Sequence, residues 1–125
     1  MRPPRKAGFT LVELLLVLFV IALLASLVAP VATRSVIRSR EATLKQDLHV
    51  MRKAIDDYYS DNGVYPDSLE LLVEKHYLHK IPVDPITDRA SSWVADRGLD
   101  GDGGVTDIHS GAEGTASDGK AYSEW

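Results

Sequence analysis

Three hydrophobic patterns succeed one another along the chain. Between Lys6 and Arg34 the only charged side chain is Glu13, and Leu14 to Thr33 is a run of 20 residues without a charge. At about 1.5 Å per residue a helix of that run covers ~30 Å, the hydrocarbon thickness of a bilayer, so it predicts a membrane-spanning helix. Beyond it Leu44, Leu48, Met51, Ile55 and Tyr58 recur at spacings of four, three, four and three, the apolar seam of an amphipathic helix. Lys45, Gln46, Asp47, Arg52, Lys53, Asp56 and Asp57 fall on the other faces. Asn62-Gly63 is a left-handed stop signal and Pro66 follows it. One helix is therefore predicted from about Phe9 to about Asp61, with a kink or melted turn at Pro30, which lacks a backbone donor.

A shorter helix is predicted over 67–79. Asp67 is placed to cap it, with Glu70 completing a capping box, and Leu69, Leu72 and Val73 supply a stripe. The prolines of Ile81-Pro82-Val83-Asp84-Pro85 forbid further helix. From 88 the pattern turns short and alternating. Ser92-Trp93-Val94-Ala95 and Val105-Thr106-Asp107-Ile108 read as two strands joined by a Gly and Asp turn from Asp96 to Gly104. Such a hairpin cannot stand alone in water and must pack on the helical seam. The fold class is α+β: a long amino-terminal helix packed against a short helix and a small antiparallel β-sheet.

Composition narrows the function. The 125 residues carry 14 Lys plus Arg against 18 Asp plus Glu and no Cys. That mildly acidic balance argues against a nucleic-acid binder, and the missing Cys removes disulfides, thiolate zinc sites and Cys nucleophiles. His49, His76, His79 and His109 are scattered, and no HExxH, Gly-x-Ser-x-Gly or P-loop occurs, so no enzyme is expected. Trp93 and Trp125 read as packing residues, with Trp125 tucked against the folded part. The apolar run exceeds the usual core of a cleaved secretory signal, and Ala29-Pro30-Val31 puts Pro in the candidate cleavage site, so the run reads as retained. Arg2, Arg5 and Lys6 precede it while Arg34, Arg38, Arg40 and Lys45 follow, so loop charge does not set its orientation.

The start, Lys6-Ala7-Gly8-Phe9-Thr10-Leu11-Val12-Glu13-Leu14, resembles the class III signal of type IV pilins and pseudopilins: a basic leader, Gly before the scissile bond, Phe after it, and Glu at the fifth mature position. The resemblance implies cleavage by prepilin peptidase between Gly8 and Phe9, and N-methylation of Phe9. It divides the chain into a leader, 1–8; a transmembrane and polymerisation helix, 9–33; and a periplasmic head, 34–125, whose amphipathic helix spans 34–61 and whose β and calcium-loop region spans 88–125. The chemistry is intelligible. Gly lets a protease approach the backbone, and the new amine, buried among parallel apolar helices, needs a counter-charge. Glu13 of a neighbouring subunit supplies one and would set the axial register. Tyr65-Pro66 through Asp84-Pro85 also resembles the major pseudopilins of type II secretion systems, although Ile86-Thr87 stands where Trp-Gly is common.

Membership of that family implies a structural subunit, anchored in the inner membrane, of a periplasmic pseudopilus that drives export across the outer membrane. The implied partners are further copies of the chain in a homopolymer, minor pseudopilins, prepilin peptidase, and an inner-membrane assembly platform with its ATPase. Two alternatives stand beside it. A type IV pilin would form a long surface filament, though such pilins usually close their carboxy-terminal loop with a disulfide. A tethered calcium-binding module would use the helix only as an anchor.

Seven of the nine glycines lie between Gly98 and Gly119, and residues 88–125 hold eight acids against three bases. The segment Ile108-His109-Ser110-Gly111-Ala112-Glu113-Gly114, ending at Asp118-Gly119, resembles the calcium loop of major pseudopilins. By position, Glu113 and Asp118 would give side-chain oxygens and Ser110 a backbone carbonyl. Glu113 stands where Asp is usual, and only one acid, Asp118, follows. A rival cation loop, Asp96, Asp100, Gly101, Asp102 and Asp107 at EF-hand-like spacing, has Gly98 at its third position, Asp instead of Glu at its twelfth and no flanking helix pair, so these acids read rather as a solvated hairpin turn.

Overall fold

The computed structural model describes residues 8–99 and 103–125. They form helix α1, Leu11–Asn62, helix α2, Leu69–Glu74, strands β1, Trp93–Arg97, and β2, Val105–Ser110, and a final 3-10 turn, Tyr122–Glu124. The chain divides into two units, the first ending at Val36 and the second running from Ile37 to Trp125.

In the first unit Thr10 caps α1: its hydroxyl accepts the Glu13 N–H at 3.2 Å and its carbonyl accepts the Leu14 N–H at 3.2 Å. Every described residue from Gly8 to Val36 is exposed, and by length and composition this end of the helix can cross a membrane. Of the two outcomes expected at Pro30, a kink or a melted turn, the melted turn does not occur: α1 runs through it. Proline deletes a single ladder bond, the one to the Ser26 carbonyl, and its fixed φ lies within the helical range.

In the second unit the predicted seam is the core. Leu44, Leu48, Met51 and Ile55 are fully buried with Leu72, Val105 and Ile108, and Tyr58 packs against them half-buried. α1 ends where expected: Gly63 takes φ 72° and its N–H bonds the Tyr59 carbonyl at 2.8 Å. The second helix is shorter than the predicted 67–79, and its cap is Ser68 rather than Asp67, the Ser68 hydroxyl accepting the Leu71 N–H. It stops because His76 adopts φ 65°, with His76 N–H on Val73 and Tyr77 N–H on Leu72, a Schellman closure that turns Leu78 back into the core. Tyr77 and Leu78 lie beyond the helix, Leu78 buried in the core and Tyr77 half-buried against it.

The strands pair antiparallel, Trp93 with Ser110 through Asp96 with Asp107, and a bulge at Asp96 and Arg97 puts Arg97 opposite Val105. Only β2 is well covered, with Val105, Ile108 and Ser110 buried. Gly104 explains how β2 enters the core. A Cβ there would lie 2.6 Å from Tyr65 Cβ, and the Val105 N–H bonds the Pro66 carbonyl at 2.7 Å.

Candidate functional site

The residues expected to act in processing and assembly, Gly8, Phe9 and Glu13, lie close together along the first unit. A Cβ on Gly8 would meet nothing within 4 Å, and Phe9 is 90% exposed. Glu13 occupies the first turn of α1. The spelling Thr10-x-x-Glu13 is half of a capping box here: the Thr10 hydroxyl serves the Glu13 backbone, and among the described residues the Glu13 carboxylate accepts no hydrogen bond. A carboxylate at the amino end of an apolar helix, with no hydrogen bond from the described residues, is available to a cation from another molecule.

The residues expected around calcium are placed differently from one another. Ser110 is fully buried, its hydroxyl donating to the Asp84 carboxylate and accepting the Ala112 N–H at 3.1 Å. Asp118 is exposed and accepts the Lys120 N–H at 2.9 Å, and Glu113 is exposed. Among the described residues no three His, Asp or Glu side chains are grouped to hold a metal ion. Calcium takes six to eight oxygens, and the two carboxylates with the Ser110 carbonyl fall short of that number, Asp118 being engaged by its own loop. Of the rival loop, Asp96 lies 3.4 Å from His109 and Asp107 pairs with Arg52 at 2.8 Å, while Asp100, Gly101 and Asp102 lie outside the described residues.

Three polar centres were not foreseen. Asp84 is completely buried and accepts the Ile86 N–H at 2.8 Å and the Thr87 N–H at 3.3 Å besides the Ser110 hydroxyl, so it ties the loop before β1 to the end of β2. Arg52 donates from Nε to Asp107 at 2.8 Å and from its terminal nitrogen to the carbonyls of Ile108 at 2.9 Å and Trp125 at 2.6 Å. Glu41 is the third. It is 5% exposed, and its carboxylate accepts the Ser117 N–H at 2.8 Å, the Ser117 hydroxyl and the Tyr122 hydroxyl at 3.1 Å. Burial opposes its ionisation, but the Ser117 and Tyr122 hydrogen bonds outweigh burial and the nearby Asp118 charge, and hold the carboxyl below its ordinary value. Its sequence signal was available: Glu41 lies three residues before Leu44, one step back along the apolar seam.

Residues 3–29 match the prokaryotic N-terminal methylation motif. The chain is 33% identical over 101 residues to type II secretion system core protein G of Pseudomonas aeruginosa, covering 68% of this chain and 71% of that protein. With the Klebsiella pneumoniae protein of the same name it is 30% identical over 140 residues, covering 97% and 95%. The chain belongs to the type II secretion core protein G family. A fimbrial protein, EcpC of Eikenella corrodens, is 36% identical over 61 residues but covered only to 40% of its length. No solved structure gives a significant match.

As a pseudopilin, the chain carries the described part of the methylation motif on the exposed start of α1, from Leu11, and on Gly8, Phe9 and Thr10 just ahead of it. Trp125 packs against the core as expected, edge-on to Tyr122 with ring centres 5.6 Å apart and with Lys45 Nζ 4.4 Å from its ring. Trp93 is half-buried and donates to the Pro82 carbonyl at 2.8 Å.

Proposed function

We propose that the chain is the major structural subunit of a type II secretion pseudopilus, and performs no chemistry on a substrate. Prepilin peptidase removes residues 1–8, Phe9 is N-methylated, and the mature chain waits in the inner membrane with its head, from 34 onward, in the periplasm. Assembly places the apolar helices side by side. In that dry environment the Phe9 amine of one subunit is neutralised by Glu13 of the next, which fixes the axial register. Transfer from lipid to fibre calls for an inner-membrane platform and its ATPase, and minor pseudopilins as further fibre subunits. Growth of the fibre then pushes cargo across the outer membrane.

The observation that carries this reading is the exposed apolar part of α1 up to Val36, whose single acid, Glu13, accepts no hydrogen bond from the described residues of its own chain. The names of the relatives support secretion over a long surface pilus, because the fimbrial relative is covered over less than half its length. The reading does not depend on calcium at Ser110, Glu113 and Asp118, whose donors alone fall short of a calcium shell.

Mass spectrometry of the mature chain tests processing: the expected amino terminus is methylated Phe9, and an intact leader on the working species refutes it. Glu13→Ala should abolish the subunit-to-subunit cross-links that report fibres in whole cells while the subunit still accumulates in the membrane. Fibres at parental yield would remove the register role.

A further inference from the structure

We propose that the Glu41 carboxylate closes the carboxyl-terminal loop of the head onto α1, in the place where a cation would otherwise be required. The loop is a tight bend. Ala116 N–H bonds the Lys120 carbonyl at 2.7 Å, Gly119 N–H bonds the Ala116 carbonyl at 3.0 Å, and Thr115 bridges Ala121. Ser117 lies at its turn and Tyr122 just beyond its second arm. One carboxylate therefore holds both arms, Oε1 taking the Ser117 N–H and the Tyr122 hydroxyl, and Oε2 taking the Ser117 hydroxyl.

The chemistry complements that of a metal clip. A cation gathers oxygens from a loop; here an anion gathers donors from it. Hydrogen bonds to an ionised acceptor are about twice as strong as neutral ones, and a carboxylate buried at 5% exposure is stable only when so engaged. The charged groups around it fit this assignment. Asp118 on the loop opposes the Glu41 charge, and among the described residues no ion pair is made to Glu41. On α1, Lys45 is set over Trp125, Arg52 reaches the Trp125 carbonyl, and Arg40 lies 3.7 Å from Asp88. The loop is thus fastened a second time, at its end, by cations of the same helix. The inference does not depend on polymerisation.

Hydrogen exchange at the amides of Ala116 and Ser117 in the full chain, held in detergent micelles, tests it. Protection in the parent should be the same in excess calcium chloride and in EGTA, and Glu41→Gln should speed exchange at both amides about 10-fold or more. Exchange at Leu48, inside α1, reports whether the rest of the head stays folded. If Glu41→Gln also opens Leu48, Ser117→Ala and Tyr122→Phe decide, each removing one donor: faster exchange at Ala116 in both supports the latch. EGTA speeding exchange in the parent overturns the proposal, as does unchanged Ala116 protection in Ser117→Ala and Tyr122→Phe.

Discussion

Two carboxylates on one helix respond to pH in opposite senses, and the reason is local in each case. Glu41 is held below its ordinary value of 4.5 by the Ser117 and Tyr122 donors against the cost of burial. A depressed folded-state pKa adds stability above the unfolded value that is lost as pH falls through the folded one. The head should therefore weaken below about pH 4.5, and Glu41→Gln should be less stable at neutral pH while showing a flatter acid limb. Thermal unfolding of both chains from pH 7 to pH 3 measures this; parallel curves would contradict it. Asp47 works the other way. Burial first, and then the charge of Asp84, raises it above 3.8, so its ionisation costs stability as pH rises through the folded value. Asp47→Asn should raise the melting temperature at pH 7 and lose that advantage at pH 3. An equal or lower melting temperature at pH 7 would show that Asp47 is not strained by its neighbours.

At the scale of the elements, the seam of α1 is the part on which β2 and α2 depend. Leu48 is buried among Leu44, Met51, Ile55, Leu72 and Ile108, so Leu48→Ala should cost about 2–5 kcal/mol in denaturant unfolding, and a loss under 1 kcal/mol would mean the cavity collapses. Gly104→Ala is a sharper test of the strand's entry, because the added methyl would meet both Tyr65 Cβ and, at 2.8 Å, the Tyr65 carbonyl oxygen. It should destabilise the head although Ala is the smaller of possible intrusions. These elements were legible in unequal measure. A 3.6-residue period over Leu44 to Tyr58 and the Asn62-Gly63 stop leave little freedom, so α1 ends within a residue of its expected boundary. The end of α2 was hidden because His76 carries the left-handed turn that sequence normally assigns to Gly or Asn. The cap was misplaced by one residue because Asp67 and Ser68 are both competent caps. The latch was missed for a different reason: Glu41 and Ser117 are 76 residues apart, and no local pattern couples a polar seam residue to a donor in a distant loop. The methylation motif, by contrast, is contiguous and was readable whole.

On the scale of the molecule, the two units divide the work. Every residue of the hydrophobic core lies between Leu44 and Tyr122, and the Glu41 latch is also in the second unit. The described residues of the first unit are all exposed and, from Phe9 to Thr33, apolar apart from Glu13 and a few hydroxyls, so the burial of that surface must come from lipid or from other subunits. Folding of the head and assembly of the fibre should then be separable. A chain beginning at Arg34 should be soluble and unfold within a few degrees of the full pseudopilin in detergent, since it retains the whole core. Glu13→Ala, in turn, should leave that unfolding temperature unchanged while removing fibres. If the shortened chain fails to fold, the apolar helix supplies stability to the head as well as to the fibre. If Glu13→Ala lowers the head's melting temperature along with assembly, its carboxylate acts within its own subunit, and the register between subunits needs another source.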